Sequence, residues 1–207
     1  GAFYALNPKI QLGASYRSRV THHLDGHANF SIPGNAMILT RRNSFVDTDT
    51  QTSVTLPDSV LFGFSYRIHP RWAFSADALW THWSLIRELR TDFQSSQADD
   101  VQPMNWRDTW RYAGAVNYFT GDGKWIFRTG FAYDETPIPN PENRSARLPD
   151  SNRYWLTAGV TYAIRKNISI HGAYAHLFFE DPTINRRGTT GEIGGEAGDT
   201  AEDFFAI

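Results

Sequence analysis

Apolar and polar residues alternate with a period of two along several short stretches of this chain. From Trp72, the positions Trp72, Phe74, Ala76, Ala78 and Trp80 share one face, and Ala73, Ser75, Asp77, Leu79 and Thr81 share the other. The same rhythm returns at Trp110, Tyr112, Gly114, Val116 and Tyr118, and again at Tyr154, Leu156, Ala158, Val160, Tyr162 and Ile164. Such alternation puts one set of side chains on each face of a sheet. The apolar set ends in Trp or Tyr at both extremities, and the opposite set is small and polar. That is the pattern of a membrane-crossing β-strand with an aromatic girdle at each interface.

The pattern divides the chain into strands joined alternately by short turns and long loops. Gly1 to Leu6 reads as the tail of a strand, with a turn at Asn7-Pro8, and Ile10, Leu12, Ala14 and Tyr16 follow. This second strand is expected to run past Val20, with weaker alternation, through Leu24, Gly26 and Phe30. A long polar excursion from Ser31 to Leu56 precedes the strand Val60, Phe62, Phe64, Tyr66, and a quick return at Arg67 to Arg71 leads into the Trp72 strand. A loop from Ser84 to Asp108 comes next, then the Trp110 strand, the turn Gly121 to Lys124, and Trp125, Phe127, Thr129, Phe131, Tyr133. The loop Glu135 to Asn152 carries four prolines, the turn Arg165 to Asn167 links the Tyr154 strand to Ile168 through Phe178, and a Gly-rich stretch runs from Gly188 to Asp199 before Phe204 to Ile207.

Long loops confined to one end and short turns to the other are the outer-membrane arrangement, with extracellular loops and periplasmic turns. The strands have the reach needed to cross tilted hydrocarbon, about 9 to 11 residues. An open sheet edge in lipid is costly, so the barrel has to close. The strands counted here are too few for that, and the chain reads as part of a larger barrel.

Composition changes this picture little. The 207 residues carry a net charge of -2 and 41% hydrophobic residues, and the mean hydropathy is -0.46. Barrels hide from hydropathy because only half of each strand meets lipid. No run approaches the about 18 apolar residues of a membrane helix. A near-neutral charge gives no support for a nucleic-acid partner. Without cysteine there is no disulfide framework, thiol nucleophile or thiolate metal site, and no cofactor is expected.

At Asn143 to Leu156 the chain reads Asn-Arg-Ser-Ala-Arg-Leu-Pro-Asp-Ser-Asn-Arg-Tyr-Trp-Leu, preceded from Thr129 by Thr-Gly-Phe-Ala-Tyr-Asp-Glu-Thr-Pro-Ile-Pro. Together with Tyr16-Arg-Ser-Arg-Val, Leu56-Pro-Asp-Ser-Val, Trp83-Ser-Leu and Tyr174-Ala-His-Leu-Phe, this closely resembles the FadL family of outer-membrane long-chain fatty-acid transporters. The resemblance covers nearly the whole chain. It implies an all-β, antiparallel transmembrane β-barrel, here the C-terminal portion (residues 1–207) of a 14-stranded FadL-like barrel whose hatch and earlier strands lie outside the chain. It further implies capture of ligand among extracellular loops of a Gram-negative outer membrane, passage through the barrel and lateral release. The implied partners are hydrophobic small molecules such as fatty acids or detergent, the lipid bilayer with its lipopolysaccharide, and the remaining strands and hatch.

Candidate residues follow from the loops. Between Ser84 and Arg107 stand Leu85, Ile86, Leu89, Phe93, Val101, Met104 and Trp106, apolar enough for a greasy surface or pocket lining, or simply to pack the loop on the barrel mouth. Arg107 and Arg111 are placed to pair with a carboxylate, while the family's head-group lysine aligns near Gln102. Thus Leu89, Phe93, Val101, Met104, Trp106, Arg107 and Arg111 form the candidate ligand set. Arg144, Arg147, Pro149, Asp150 and Arg153 carry the family motif and are expected to hold a loop against the rim by a charge network. Asp77 and Arg128 alternate with lipid-facing residues and should point inward.

Other constellations are weaker. His22, His23 and His27 lack the spacing of a metal site, and Gly194 to Asp199 does not form the glycine-rich calcium repeat. Ser169 and His171 share the inward face, but no third member of a hydrolytic triad is in view, so an enzyme is not expected. The rivals to fatty-acid transport are uptake of aromatic hydrocarbons or alkanes, which needs no basic partner, and a non-transport adhesin or receptor barrel, which needs no apolar pocket.

Overall fold

The computed structural model describes residues 1–145, 148–185, 195–196 and 202–206. In chain order the strands are β1 (Ala2–Asn7), β2 (Ile10–Arg17), β3 (Val20–Ala28), β4 (Thr48–Leu56), β5 (Ser59–His69), β6 (Trp72–Thr81), β7 (Glu88–Phe93), β8 (Asp100–Pro103), β9 (Thr109–Phe119), β10 (Trp125–Asp134), β11 (Arg153–Arg165), β12 (Ile168–Phe179), β13 (Thr183–Ile184), β14 (Gly195–Glu196) and β15 (Glu202–Ala206). Nine of them form one antiparallel sheet in the order β1-β2-β5-β6-β9-β10-β11-β12-β15. Among the described residues β2 pairs with β1 and β5, not with β12, and the sheet they form is open at β1 and β15.

Register explains the two faces. Leu12, Phe64, Ala76, Gly114, Phe131 and Leu156 stand in one cross-strand row. Phe131 and Leu156 are 55% and 51% exposed there, as side chains directed at hydrocarbon should be when lipid is absent. The next row, on the opposite face, runs Gly63, Asp77, Ala113, Ala132, Trp155 and Leu177. That face carries the ion pairs, and charge on the lipid side would cost several kcal/mol. It is the lumen wall.

The expected girdle aromatics share the outer face, although Trp80, Tyr118 and Tyr162 are half-buried. They stack on neighbours: Trp72 on Tyr118 with centroids 4.7 Å apart, Trp125 on Tyr162 at 4.4 Å, and Trp80 on His82 at 5.2 Å. Tilted and offset rings suit the quadrupoles of such pairs.

Short turns gather at one end. At Gly123, φ is +68°, a left-handed conformation that glycine adopts without steric cost. The preceding Asp122 accepts from the Lys124 backbone N–H at 3.0 Å, and Thr120 Oγ1 accepts from the Trp125 N–H at 3.0 Å. The Thr120 hydroxyl also donates to the Asp122 carboxylate.

The long loops depart from the sequence expectation. Val20 to Ala28 does not continue β2 in the same sheet. It is a separate strand, β3, in a second sheet of order β3-β4-β7-β8. The polar excursion 31–56 contains β4, and the loop 84–108 contains β7 and β8. These segments lack an apolar face because neither side of the second sheet lies in lipid. Its threonines favour strands by their β-branched shape instead, and Thr52 Oγ1 donates to the Arg90 carbonyl at 2.6 Å. Part of the Gly-rich stretch is also paired: β14 joins β13, and β15 joins β12.

Three strands break at one level, at 18–19, 57–58 and 82. Asp58, only 7% exposed, receives Arg19 Nη2 at 3.2 Å and lies 3.1 Å from His82 Nδ1. Its carbonyl accepts the His82 N–H at 3.0 Å. One buried carboxylate therefore ties the three bends, and the second sheet leaves the barrel from this clamp.

Candidate functional site at the barrel mouth

The ends of β6, β9, β10 and β11 that face the long loops bring an alternating charge row to the lumen wall. Leu79, Arg111, Asp134 and Arg153 are direct cross-strand neighbours. Arg153 Nε donates to Asp134 at 3.0 Å and its Nη1 to Asp150 at 2.9 Å. Asp150 also accepts from the Thr136 hydroxyl at 2.8 Å. Arg144, 8% exposed, donates from Nε to the Asp150 carbonyl at 2.9 Å and from Nη1 to the Thr183 carbonyl at 2.6 Å. Burial pulls the Arg144 pKa below its ordinary value, and the charge of Asp150 opposes that shift. The loop 135–152 is thereby fastened to the wall. Arg147 lies outside the described residues.

A second set of bonds joins this loop to the loop after β6. Arg107 N–H donates to the Pro137 carbonyl at 2.9 Å, Arg107 Nε to the Thr136 carbonyl at 3.3 Å, and Asn105 Nδ2 to Asn143 Oδ1 at 3.2 Å. Gln102 reaches Ser145 Oγ at 3.4 Å. Between the two loops and the wall lies a pocket of about 520 Å³. Its apolar walls are Leu79, Trp83, Trp106, Pro137, Leu148 and Pro149, with the Trp83 and Trp106 rings edge-on at 5.3 Å. Its polar side comprises Arg111, Arg153, Asp134, Glu135 and Asp150.

The pocket draws on both sets of residues singled out in the sequence. Trp106 and Arg111 come from the ligand set, and Pro149, Asp150 and Arg153 from the family motif. The other candidates stand elsewhere. Met104 is 1% exposed inside its own loop. Phe93 packs toward Phe30 at 6.1 Å, Leu89 and Val101 belong to the second sheet, and Arg107 is exposed outside the lining. Pairing in the second sheet, which leaves no lipid-type alternation, holds Leu89, Phe93 and Val101 outside the pocket lining. Leu79, Trp83, Asp134, Glu135, Pro137 and Leu148 were not singled out as ligand residues. Their signal was positional: inward sites at strand ends beside a long loop.

Below this pocket the wall thins to small side chains. A cavity of about 240 Å³ is lined by Ala113, Ala115, Gly130 and Ala132, with Asp77, Arg111 and Trp155 at its polar side. A Cβ on Gly130 would stand 2.8 Å from Thr157 Oγ1 and 3.2 Å from the Gly114 carbonyl, so any larger residue there would force Thr157 or the neighbouring strand to shift. Arg111 borders both spaces. Its Nη2 reaches Asp77 Oδ1 at a long 3.4 Å, and among the described residues its buried Nε has no hydrogen-bond partner, nor do the buried indole nitrogens of Trp106 and Trp155.

Toward the short-turn end, Ser169 Oγ is 2.9 Å from His171 Nε2, within reach of a nucleophile and its base. The other ring nitrogen meets the Thr161 hydroxyl at 2.9 Å, and Arg128 donates to that hydroxyl at 2.6 Å. A carboxylate in that place would stabilise an imidazolium. A hydroxyl beside a guanidinium does not. On the second sheet, His23 lies 2.8 Å from Ser53 Oγ and His27 2.7 Å from Asp49. Among the described residues no group of three or more His, Asp or Glu is arranged to hold a metal ion.

The comparisons agree with this architecture. The family model described as outer membrane protein transport protein (OMPP1/FadL/TodX) matches residues 1–203. The long-chain fatty acid transport protein of Escherichia coli O6:H1 is 31% identical over 191 residues, covering 85% of this chain and 41% of that protein. Outer membrane protein P1 of Haemophilus influenzae is 25% identical, covering 86% and 36%. The chain spans less than half of the length of these relatives. Among solved structures, a Pseudomonas aeruginosa FadL homologue superposes with a TM-score of 0.79 at 22% identity over 97% of this chain and 48% of that one. The Pseudomonas putida toluene transporter TodX gives 0.62 at 20% identity over 88% and 42%. The apolar outer face, the lumen wall and the matched family model agree: the chain belongs to the OMPP1/FadL/TodX family of outer-membrane transport proteins of Gram-negative bacteria.

Proposed function

We propose that this chain supplies a ligand-receiving arc of an outer-membrane channel for long-chain fatty acids or similar hydrophobic compounds. The mouth pocket carries the proposal: apolar walls from two tied loops, ending on Arg111 and Arg153. An acyl chain gains about 0.8 kcal/mol per buried methylene from such walls, and the guanidinium groups offer charge-assisted hydrogen bonds to its carboxylate. A receptor or adhesin barrel has no need of such a pocket. The open edges at β1 and β15 support reading the sheet as one arc of a 14-stranded barrel completed by further strands and a hatch, since unpaired edges in hydrocarbon are costly. Lateral release into the bilayer completes the route.

One observation favours a second reading, uptake of aromatic hydrocarbons, the substrate class named for TodX. Arg153 is already held by two carboxylates and Arg111 by one, so the wall reserves no cation for a head group. The two readings separate in the full-length protein. Arg111→Gln should weaken oleate binding about tenfold, the loss of one charge-assisted bond, and leave methyl oleate and toluene nearly unchanged. Oleate bound as tightly by this variant as by the parent would transfer the proposal to hydrocarbons.

A further inference from the structure

All three lysines of the chain, Lys9, Lys124 and Lys166, stand in short turns. With Arg67, Arg71 and Arg165 they put an exposed cation in or beside each of the four described turns of the barrel sheet. Of the 22 acidic residues only Asp122 lies there, and it accepts from the Thr120 hydroxyl and the Lys124 N–H of its own turn. The whole chain carries a net charge of -2, so the remainder of the sequence is acidic. Backbone bonds join neighbouring turns: the Phe119 N–H donates to the Arg71 carbonyl at 2.9 Å, and the Ala163 N–H to the Lys124 carbonyl at 2.8 Å. The Arg71 guanidinium lies along Gly121, where a Cβ would stand 2.8 Å from Nη2. Arg71, Lys124, Arg165 and Lys166 therefore form one arc over the strand ends from β6 to β12. Arg67, laid over the Phe119 ring at 4.7 Å, stands apart from it.

We propose that this arc is a docking surface for anionic phospholipid in the periplasmic leaflet of the outer membrane. The four cations hold the phosphate, and the aromatic belt below them receives the glycerol and the first methylenes. The rings of that belt are in mutual contact on the outer face: Trp72 with Tyr118 at 4.7 Å, Trp125 with Tyr162 at 4.4 Å, and Trp125 with Phe127 at 6.0 Å. Trp and Tyr mark the headgroup level of a membrane. Arg71 adjoins Trp72, Lys124 adjoins Trp125, and Arg165 stands three residues past Tyr162. At about 3.3 Å per strand residue, the cations lie within about 10 Å of the rings, at phosphate depth. Exposed Lys and Arg at that depth are drawn to anionic lipid, and a guanidinium can grip a phosphate with two parallel bonds. Ile164 and Ile168, 48% and 46% exposed, extend the apolar contact beside the last turn. A zwitterionic lipid brings its own ammonium to the same place and gains less. Short turns face the periplasm, which fixes the leaflet.

The surface lies away from the mouth pocket, so the inference holds whichever hydrophobic compound is transported. Its test uses the full-length protein with phosphatidylglycerol and phosphatidylethanolamine of identical acyl chains, and lipid retention read by native mass spectrometry. The parent should retain phosphatidylglycerol about tenfold more strongly, and added salt should reduce that preference. Lys124→Gln and Lys166→Gln should each weaken phosphatidylglycerol about fivefold, equivalent to about 1 kcal/mol, and together abolish the preference. Lys124→Arg should keep it. Arg87→Gln, an exposed cation at the long-loop end, should leave it unchanged. Phosphatidylglycerol retained equally by the double variant and the parent overturns the proposal. So does a loss as large in Arg87→Gln, which would trace the preference to overall charge. Binding to sedimented peptidoglycan that the double variant loses, with its lipid preference intact, would give these cations to the cell wall and equally overturn it. None of these outcomes bears on oleate binding at the mouth, which is measured separately.

Discussion

Arg153 and Asp134 occupy directly opposed positions in the β10–β11 register, and the Arg153 Nε donates to the Asp134 carboxylate at 3.0 Å. The same guanidinium reaches Asp150 in the loop at 2.9 Å. One side chain thus fastens a strand end and a loop together at the barrel mouth, and the geometry of that fork makes several consequences measurable.

Arg153→Gln leaves two carboxylates, Asp134 and Asp150, without their shared cation. The expected cost is about 1 to 3 kcal/mol, concentrated in the loop 135–152. Arg153→Lys should recover little, because an ammonium cannot hold two carboxylates in a fixed planar fork. Limited proteolysis of that loop, compared with unfolding of the whole barrel, checks it. A loop as resistant in the glutamine variant as in the parent would show that Arg144 and the backbone bonds hold it unaided.

Trp155→Phe removes an indole N–H that has no partner among the described residues. Stability should stay within about 1 kcal/mol of the parent, because no hydrogen bond is lost and a buried unsatisfied donor disappears. Denaturant unfolding in lipid measures it, and a clearly larger loss would show that the indole N–H is bonded in the full-length protein.

The two faces of β10 predict opposite tolerances at adjacent positions. Phe131→Arg puts a charge into the outer row and should cost about 2 to 4 kcal/mol near mid-bilayer. Ala132→Arg, one residue on, points into the lumen and should cost far less. Unfolding titrations in phospholipid vesicles decide between them, and equal costs would contradict the assignment of faces.

The turn after β9 carries a pH dependence. The Thr120 hydroxyl, followed by the Lys124 N–H, holds the Asp122 carboxyl below its ordinary value of 3.8. A depressed folded-state pKa contributes stability that is present above the unfolded value and lost as pH falls through the folded one. The Lys124 amide should therefore exchange faster as pH falls below about 4, after correction for intrinsic rates. Thr120→Val should shift that change upward toward the ordinary aspartate range. An unshifted profile would place the acid sensitivity elsewhere.

The alternation from Trp72, Trp110 and Tyr154 by itself determined the strands, their faces and the membrane. Lipid on one side of a strand and lumen on the other impose a period that survives in the residues. The inward placement of Asp77 and Arg128 was legible for the same reason, as were the turns at Pro70 and Gly123. The second sheet was not legible. Thr48 to Leu56 and Glu88 to Phe93 pair through backbone hydrogen bonds in water, which put no apolar period into the sequence. The mouth pocket lay beyond reach for a related reason. Trp106 joins Arg153 across 46 intervening positions only because the loops close over strand ends whose register the whole sheet sets. Phe93 and Met104 have the same apolar character as Trp106, and tertiary pairing alone decided that the first packs toward Phe30, the second lies buried inside its loop, and the third faces the pocket. Composition can supply greasy residues to a loop, but which of them meet a ligand depends on contacts between segments far apart in the chain.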